Sequence, residues 1–581
     1  LRAGQRSVES AFAVSCRDLD ALSRRVFFLL GAAPGADFSV AAVAALDGTS
    51  QEGAERSLED LVDANLVETP EPGRYRLHDL LRLYAGEHVG AEVAESDRNA
   101  ALRRLHSWRL HSVKAAVRTA RLLGNGWVRL PTVEPGVAPK SFADLGEARA
   151  WLDVERVNLL AAIRSGPGGS GFSWHLSDAL ADYLGVCADP GTQDEAAEIG
   201  LRAAEADDDR DGQAVMHLRL STAAYNRADY RADAEHAERA LDLLGPDGNP
   251  RPRARALSRL AVAASGRGAL PQAIDYIRQA VVMERELDSG RLPVVLNISG
   301  SLASESGDFR QAAEFYSEAL ECLRRSGSPN AYVVLNNLGY TRLRLGDPEA
   351  ARDLLSESEE VCLHVGAVRA QAETCGNLAL LHQLCGETDR AGDAAWKAVN
   401  LARDVGARDV EMHMLCTLAA VLSERRPEQA ERVARQALKL SDAVSSATAK
   451  VKALTALAEA STGLGRTGPA VDCARRAIAA ARERGYRMLE GHALLALGEA
   501  RLVEGDAAPA VSAGEKALVC HRSTENRPGE ARTRQLLTAA YEARGDAAAA
   551  REHSEAAAKL FAQMGVPPMD PRTRMAEARP T

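Results

Sequence analysis

The stretch from residue 331 to residue 366, AYVVLNNLGYTRLRLGDPEAARDLLSESEEVCLHVG, decides the fold of this chain. Its apolar and small residues recur every three or four positions, which predicts two amphipathic helices. Gly346-Asp347 separates the two helices as a turn, and Gly366 follows the second helix as a C-cap glycine. Glycine suits both positions because it adopts a positive φ without a steric penalty. The stretch therefore predicts one helical hairpin.

This pattern occurs nine times between residues 213 and 565, the quoted stretch included, with a nearly constant period of about 40 residues. Each unit has a marker position in its second helix and a second small residue seven positions later. A fixed period of this length indicates a solenoid of stacked helical hairpins, which mostly bind other molecules. The markers are Asp233, Ala273, Ala312, Ala351, Ala391, Ala430, Ala470, Ala510 and Ala550, and the second small residues are Ala240, Ala280, Ala319, Ser358, Ala398, Ala437, Ala477, Ala517 and Ala557.

These units resemble the tetratricopeptide repeat, which has a small residue late in its first helix and two alanines in its second. The usual unit of that family has about 34 residues, so we expect helices about one turn longer here. The proline that ends the family's unit is missing. An atypical unit over residues 173–212 is predicted to cap the stack. The resemblance therefore implies a mostly α-helical chain that ends in an α-solenoid of tetratricopeptide-like hairpins.

Residues 19–92 predict a winged helix, because three helices are followed by two alternating stretches around Glu71-Pro72-Gly73. The third helix is the one that would enter the major groove of DNA. It carries mainly acidic side chains, which would repel phosphates. We therefore expect no direct DNA contact from this chain, and its net charge of −10 favours the same conclusion. The acidic residues are Glu52, Glu55, Glu59, Asp60 and Asp63, against one Arg56.

The stretch RYRLHDLLRLYA, residues 74–85, resembles the winged helix of the signal-transduction ATPases with numerous domains, the STAND proteins of the NB-ARC class. The Met-His-Asp motif of that class corresponds to Leu77-His78-Asp79. The resemblance implies that His78 contacts the β-phosphate of bound ADP in a closed state and that Asp79 orients the loop. From the residues alone, the pair also fits a simple N-cap at a strand-to-helix junction.

The order of the segments resembles that of actinobacterial regulators of the SARP/AfsR-like type. Residues 151–159, WLDVERVNL, resemble a linker segment of those proteins, and residues 1–18 resemble the end of an upstream helical domain. Residues 93–172 are predicted to form linker helices and a Gly-rich joint, and residues 566–581 a disordered tail. The basic residues of the helix over 98–123 are predicted to lie on a solvated face. Because the chain begins with Leu1, we expect a fragment of a longer protein.

No chemistry of its own is expected from this chain. It lacks the GxxxxGK[ST] loop that cradles phosphates, so we expect no cofactor here, and ADP or ATP only with an upstream nucleotide-binding domain. No metal-ligand spacing is present. Nine scattered cysteines without a CxxC motif predict free thiols in a reducing cytoplasm. No apolar run is long enough to cross a membrane.

The first helices of a tetratricopeptide stack line its concave surface, where a protein, a peptide or a small ligand would bind. Four asparagines are candidate contacts, because a side-chain amide both donates and accepts hydrogen bonds. They also fit amides that bond within their own hairpin. Tyr340 and Arg344 are further candidates. The asparagines are Asn297, Asn336, Asn337 and Asn377.

The sequence thus predicts the non-enzymatic sensor region of a larger STAND-type transcriptional regulator. In this hypothesis the repeats bind a signal, and the winged helix relays it to an upstream nucleotide switch of the NB-ARC type. Two alternatives stay open. One is a scaffold for protein–protein interactions without nucleotide linkage. The other is the sensor half of a STAND protein whose effector does not bind DNA.

Overall fold

The computed structural model describes residues 12–120, 130–165, 172–187, 190–227, 229–287, 290–328, 331–443 and 446–568. The chain divides into two compact units, Leu1–Ala263 and Ala264–Thr581. Most of the predicted upstream segment, the Gly-rich joint over 166–171 and the tail beyond residue 568 lie outside the described residues.

After a helical stretch over residues 12–17, the first unit has three helices and a small antiparallel sheet, whose strand order is β1-β3-β2. Capping side chains set the helix starts: Asp20, Ser39 and Ser50 each accept a hydrogen bond from the backbone N–H three residues later. Three helices followed by two strands were predicted, whereas the short strand β1 lies where the sequence predicted none. The elements are α1 (Ala21–Ala32), β1 (Phe38–Ser39), α2 (Val40–Asp47), α3 (Gln51–Asp63), β2 (Glu68–Glu71) and β3 (Arg74–Arg76).

The other elements that the structure describes in the first unit are helices. α7 and α8 form a hairpin over the segment that was predicted to cap the repeats, and α8 packs on α9. The remaining helices are α4 (Asp79–Glu92), α5 (Glu95–Thr119), α6 (Leu145–Arg164), α7 (Phe172–Cys187), α8 (Pro190–Ala206), α9 (Arg210–Asn226), α10 (Tyr230–Leu244) and α11 (Pro250–Gly266), in which the division between the units falls.

Two basic residues of α5 correct the expectation of a uniformly solvated face. Arg109 is buried, and its Nη2 donates to the carbonyl oxygen of Pro34 at 2.7 Å. Arg104 donates to the carbonyl oxygens of Ala45 and Leu46, at the C-terminal end of α2. These guanidinium groups satisfy carbonyls that the helix end and the following turn leave without a partner. Sequence periodicity does not reveal such partners, because they belong to distant segments of the chain.

The second unit is a run of helical hairpins with the predicted register. All of its marker alanines are buried, from Ala273 to Ala550. The turn glycine Gly346 and the C-cap glycine Gly366 have φ values of 79° and 70°, as their positions required. The helices are α12 (Leu270–Leu287), α13 (Leu292–Ser306), α14 (Phe309–Arg325), α15 (Ala331–Arg344), α16 (Pro348–Val365), α17 (Val368–Leu384), α18 (Thr388–Asp404), α19 (Arg408–Leu422), α20 (Pro427–Ala443), α21 (Ala447–Gly463), α22 (Thr467–Glu483), α23 (Arg487–Val503), α24 (Ala507–Ser523), α25 (Arg527–Ala543) and α26 (Ala547–Met564).

Asp233, which lies in the first unit, is the one marker that is not alanine, and its contacts explain why a carboxylate fits there. Its carboxylate is fully buried on α10 and accepts hydrogen bonds from Ser221 and from the guanidinium of Arg259. The partners come from the first helices of its own and the next hairpin. A buried carboxylate is tolerated at this position because it is paired and hydrogen-bonded.

Within the second unit the solenoid winds back on itself. Arg484 donates to the carbonyl oxygen of Arg267 at 2.8 Å, and Arg310 pairs with Glu525 at 2.6 Å. First helices from distant parts of the sequence also meet, since α15 contacts α25. Side chains on the inner face of these first helices therefore face one another across the superhelix.

Candidate functional site

The motif Leu77-His78-Asp79 lies at the junction between β3 and α4. Leu77 is buried, whereas His78 and Asp79 are exposed at the start of the helix. His78 occupies the N-cap position, but its side chain makes no cap hydrogen bond. The observed contacts thus give no support to the simple N-cap interpretation. A helix N-terminus favours a negatively charged group, and the nucleotide role of the pair stays a prediction.

Close packing fixes α4, and with it the position of the motif. A Cβ atom at Gly31 of α1 would lie 2.4 Å from the Cβ atom of Ala85, so only glycine permits this approach of α1 to α4. One turn after His78, the guanidinium of Arg82 donates to the carbonyl oxygens of Ala33 and Ala36. The motif is therefore held on a rigid part of the first unit.

A buried network of charges surrounds Arg74, four residues before His78. Its guanidinium pairs with Asp37, next to β1, and with Glu155 of α6. Burial would raise the pKa of Asp37, but the hydrogen bonds from Arg74 and Asn158 hold that pKa below its usual value. Asn158 also accepts the backbone N–H of Ala36 at 2.8 Å. The segment 151–159, which the sequence singled out as a linker, is thus bound to the sheet.

The same helix, α6, reaches the start of the helical hairpins. It contacts α7 and α8. Arg164, at its last residue, donates two hydrogen bonds to the carboxylate of Glu195 on α8, at 2.8 and 2.7 Å. Helix α6 therefore joins the sheet that precedes His78 to the first hairpin of the stack.

The predicted asparagines form contacts between hairpins rather than within one. The amide of Asn337 donates to Asn297 at 3.0 Å, and that of Asn377 donates to Asn336 at 2.9 Å. Both bonds join neighbouring first helices. Asn336 is 6% exposed, which leaves little of its side chain for a ligand. Peptide contact by Asn297, Asn337 and Asn377 stays a prediction.

Tyr340 and Arg344 lie together on α15, with the guanidinium carbon 4.7 Å from the centre of the ring. Burial would raise the pKa of Tyr340, yet the charges of Arg344 and Lys452 hold it below its usual value. Two cationic side chains from different hairpins thus act on the ring of Tyr340. Lys452 lies on α21, three hairpins further along the chain.

Sequence reasoning missed several polar residues of this inner face. A signal was present, because four of them precede the marker alanine of their unit by 18 positions. Aligning the repeats on their markers would have revealed this column. Its polar members are Glu373, Lys452, His492 and Arg532, and His413 lies 17 positions before its own marker.

Other chemistry finds no support in the part of the chain that the structure describes. No group of three or more His, Cys, Asp or Glu residues there is placed to hold a metal ion. The cysteines whose side chains are described are free thiols. None of the described helices combines the length and the hydropathy that a membrane span requires.

Comparison with known proteins supports the repeat and its regulatory context. The family model of the tetratricopeptide repeat matches residues 291–363. The chain is 30% identical over 338 residues to the regulatory protein AfsR of Streptomyces coelicolor, an alignment that covers 49% of this chain and 33% of that protein. It is 39% identical over 170 residues to AfsR of Streptomyces griseus, covering 28% and 17%. The chain thus spans about a third of its first relative's length.

Solved structures give a similar set of neighbours. A STAND protein with a tetratricopeptide repeat sensor from Pyrococcus horikoshii has a TM-score of 0.37 and 13% identity, covering 88% of this chain and 64% of that one. A Rap protein complexed with competence and sporulation factor has a TM-score of 0.47 and 14% identity, covering 61% and 98%. The family match and the two aligned regulators confirm the predicted resemblance to AfsR-like regulators with tetratricopeptide repeats.

Proposed function

We propose that this chain is the sensor and regulatory region of a larger STAND-type transcriptional regulator. The alignment with AfsR over 49% of the chain carries the proposal, because AfsR is a regulatory protein. The hairpins of the second unit supply the binding surface for a protein or peptide signal, and the chain itself performs no catalysis. Its output depends on an upstream nucleotide-binding domain of the NB-ARC type.

The contacts of α6 support a route for the signal. This helix binds the first hairpin through Arg164 and Glu195, and it binds β3 through Glu155 and Arg74. His78 follows β3 directly. A shift of the first hairpin would displace α6 and thereby change the position of His78 relative to a bound nucleotide. Such a shift alters the balance between closed and open states only if the signal binds the two states with different affinity.

Replacing His78 by alanine in the intact regulator tests this function. In a closed state held by ADP, loss of the histidine contact favours the open state, so basal output rises. The variant is compared with the wild type in the native cells by genome-wide transcript analysis without added signal. Nucleotide retained by the purified intact protein is measured in parallel. We expect several-fold higher basal transcription and less retained ADP.

His88→Ala is the matched control, because His88 is also exposed on α4 and bonds within that helix, to the carbonyl oxygen of Tyr84. Its transcript profile should equal that of the wild type. Unchanged transcription and unchanged ADP in His78→Ala would contradict the nucleotide linkage and leave the scaffold alternative. Lost ADP with unchanged transcription would indicate an effector that does not bind DNA.

A further inference from the structure

Three cationic side chains converge on the inner face of the second unit. Arg344 lies at the end of α15, Lys452 on α21 and Arg532 on α25. Helices α15 and α25 are in contact, although they belong to hairpins that lie far apart in the sequence. The charges of all three side chains act on the ring of His492, on α23. We call these three residues the cation cluster.

Among the described residues, no carboxylate lies within hydrogen-bond distance of the cation cluster. Arg532 has one acidic neighbour, Glu499, whose Oε1 lies 3.9 Å from Nη2, too far for a hydrogen bond. Neither Arg344 nor Lys452 forms an ion pair with any residue that the structure describes. Nε of Arg344 and Nη2 of Arg532 are buried without a hydrogen-bond partner. Unpartnered buried guanidinium atoms are costly, because they lose their hydration without compensation.

The arginines on the second helices of the same unit behave differently. Arg285 pairs with Glu318 of the next hairpin at 2.9 Å, and Arg324 pairs with Glu357 at 2.7 Å. The chain as a whole is acidic, with a net charge of −10. A shortage of carboxylates therefore does not explain the cation cluster. Its arginines lack a hydrogen-bonded carboxylate, although the side chain of Lys452 beside them is exposed to solvent.

Neighbouring histidines add no charge at neutral pH. Burial lowers the pKa of His492 well below its usual range, and the charges of His521, Arg344, Arg532 and Lys452 lower it further. Burial and the charge of Lys452 lower the pKa of His413 to about 4. Both rings are therefore neutral at pH 7. Their ring nitrogens can form hydrogen bonds next to the cations. Nε2 of His492 already accepts one from the amide nitrogen of Asn526 at 3.2 Å.

We propose that the cation cluster binds an anionic group, a carboxylate or a phosphate, of the ligand that enters the superhelix. A planar guanidinium matches either group with two parallel hydrogen bonds, and Lys452 adds a point charge. Tyr340, beneath Arg344, provides a hydroxyl and a ring face at the same place. The proposal rests on the sensor function above, and it names the chemical class of the ligand.

A direct binding measurement on the full chain tests the proposal. Isothermal titration calorimetry at low salt uses two probes, inorganic pyrophosphate and triglutamate. We expect saturable binding of at least one probe. Arg344→Gln and Arg532→Gln each remove a charge-assisted contact, so each should weaken that binding by about ten-fold or more. Arg278→Gln is the matched control, because Arg278 is exposed on α12 beside Asp275, and it should bind as the wild type does.

A second measurement guards against variants that fail to fold. Lys452 is exposed to solvent, so Lys452→Met should fold normally. Removing one of three like charges that act on the same ring should raise the melting temperature without probe and should reduce the increase that the probe causes. Binding of pyrophosphate alone indicates a phosphorylated ligand, and binding of triglutamate alone indicates an acidic peptide.

Two results would overturn the proposal: neither probe binds, or both arginine variants bind like Arg278→Gln. Neither result depends on transcription, so it is distinct from a failure of the His78→Ala experiment. If the cation cluster binds a probe while His78→Ala has no effect, the binding site stands and the nucleotide linkage fails.

Discussion

Replacing Glu155 by glutamine tests whether the buried charges hold α6 to the sheet that precedes His78. The Glu155 side chain is 3% exposed and that of its partner Arg74 is 11% exposed. Glutamine has the same shape and keeps an oxygen that accepts the bond from Asn158, so the substitution removes mainly the charge. It leaves Arg74 with Asp37 as its remaining carboxylate, and it removes the negative charge of Glu155 that acts on the buried Arg109.

The expected loss is about 3 kcal/mol of unfolding free energy, because removing one partner of a buried ion pair costs about 3–5 kcal/mol and Asp37 places this case at the lower end. With a urea slope of about 2 kcal/mol per molar, the midpoint should fall by about 1.5 M. The comparison is Glu195→Gln, which breaks the other pair of α6. The side chains of Arg164 and Glu195 are 50% and 46% exposed, so that change should cost at most about 1 kcal/mol.

Tryptophan fluorescence during urea unfolding is the appropriate assay. Four of the five tryptophans lie in the first unit, and Trp108 is buried in its core against Trp151. The signal therefore reports chiefly the unit that contains Glu155. If Glu155→Gln shifts the midpoint no further than Glu195→Gln, the network does not stabilise this unit and the proposed route through α6 loses its basis.

Two further predictions concern the second unit. A Cβ atom at Gly300 would lie 2.6 Å from a ring carbon of Tyr316, so Gly300→Ala should destabilise the unit by about 1–3 kcal/mol. Gly392→Ala, which meets no atom within 4 Å, should instead stabilise it by about 0.5–1 kcal/mol in the same denaturation measurement, and equal effects would refute the packing argument. Burial lowers the pKa of His521 from 6.5 to about 3, so below pH 6.5 the unfolded state binds a proton that the folded state excludes. Stability should therefore fall by about 1.4 kcal/mol per pH unit from pH 6.5 towards pH 3, and not above pH 6.5. Denaturation followed by circular dichroism at pH 7 and pH 5 checks this, and His521→Gln should lose less stability on acidification than the wild type.

The sequence by itself determined the repeat and its register. The 3.6-residue periodicity and the glycines at turns and C-caps act locally, within one hairpin, so they can be recognised without the structure. The paired small residues also follow, because closely packed helices exclude larger side chains. The same local reasoning placed Tyr340 and Arg344 on the inner face and His78 at the start of α4.

Only the tertiary structure decided which distant residues meet. The winding of the solenoid depends on a small rotation between successive hairpins, and this rotation accumulates over many repeats. Sequence periodicity does not specify that angle, so it could not reveal that Arg344 and Arg532 both act on His492. The pairing of Arg74 with Glu155 was equally hidden, because 81 residues separate them. A charge on a helix has the same appearance in sequence whether it faces water, a carboxylate or an unpaired cation, and only the fold distinguishes these surroundings.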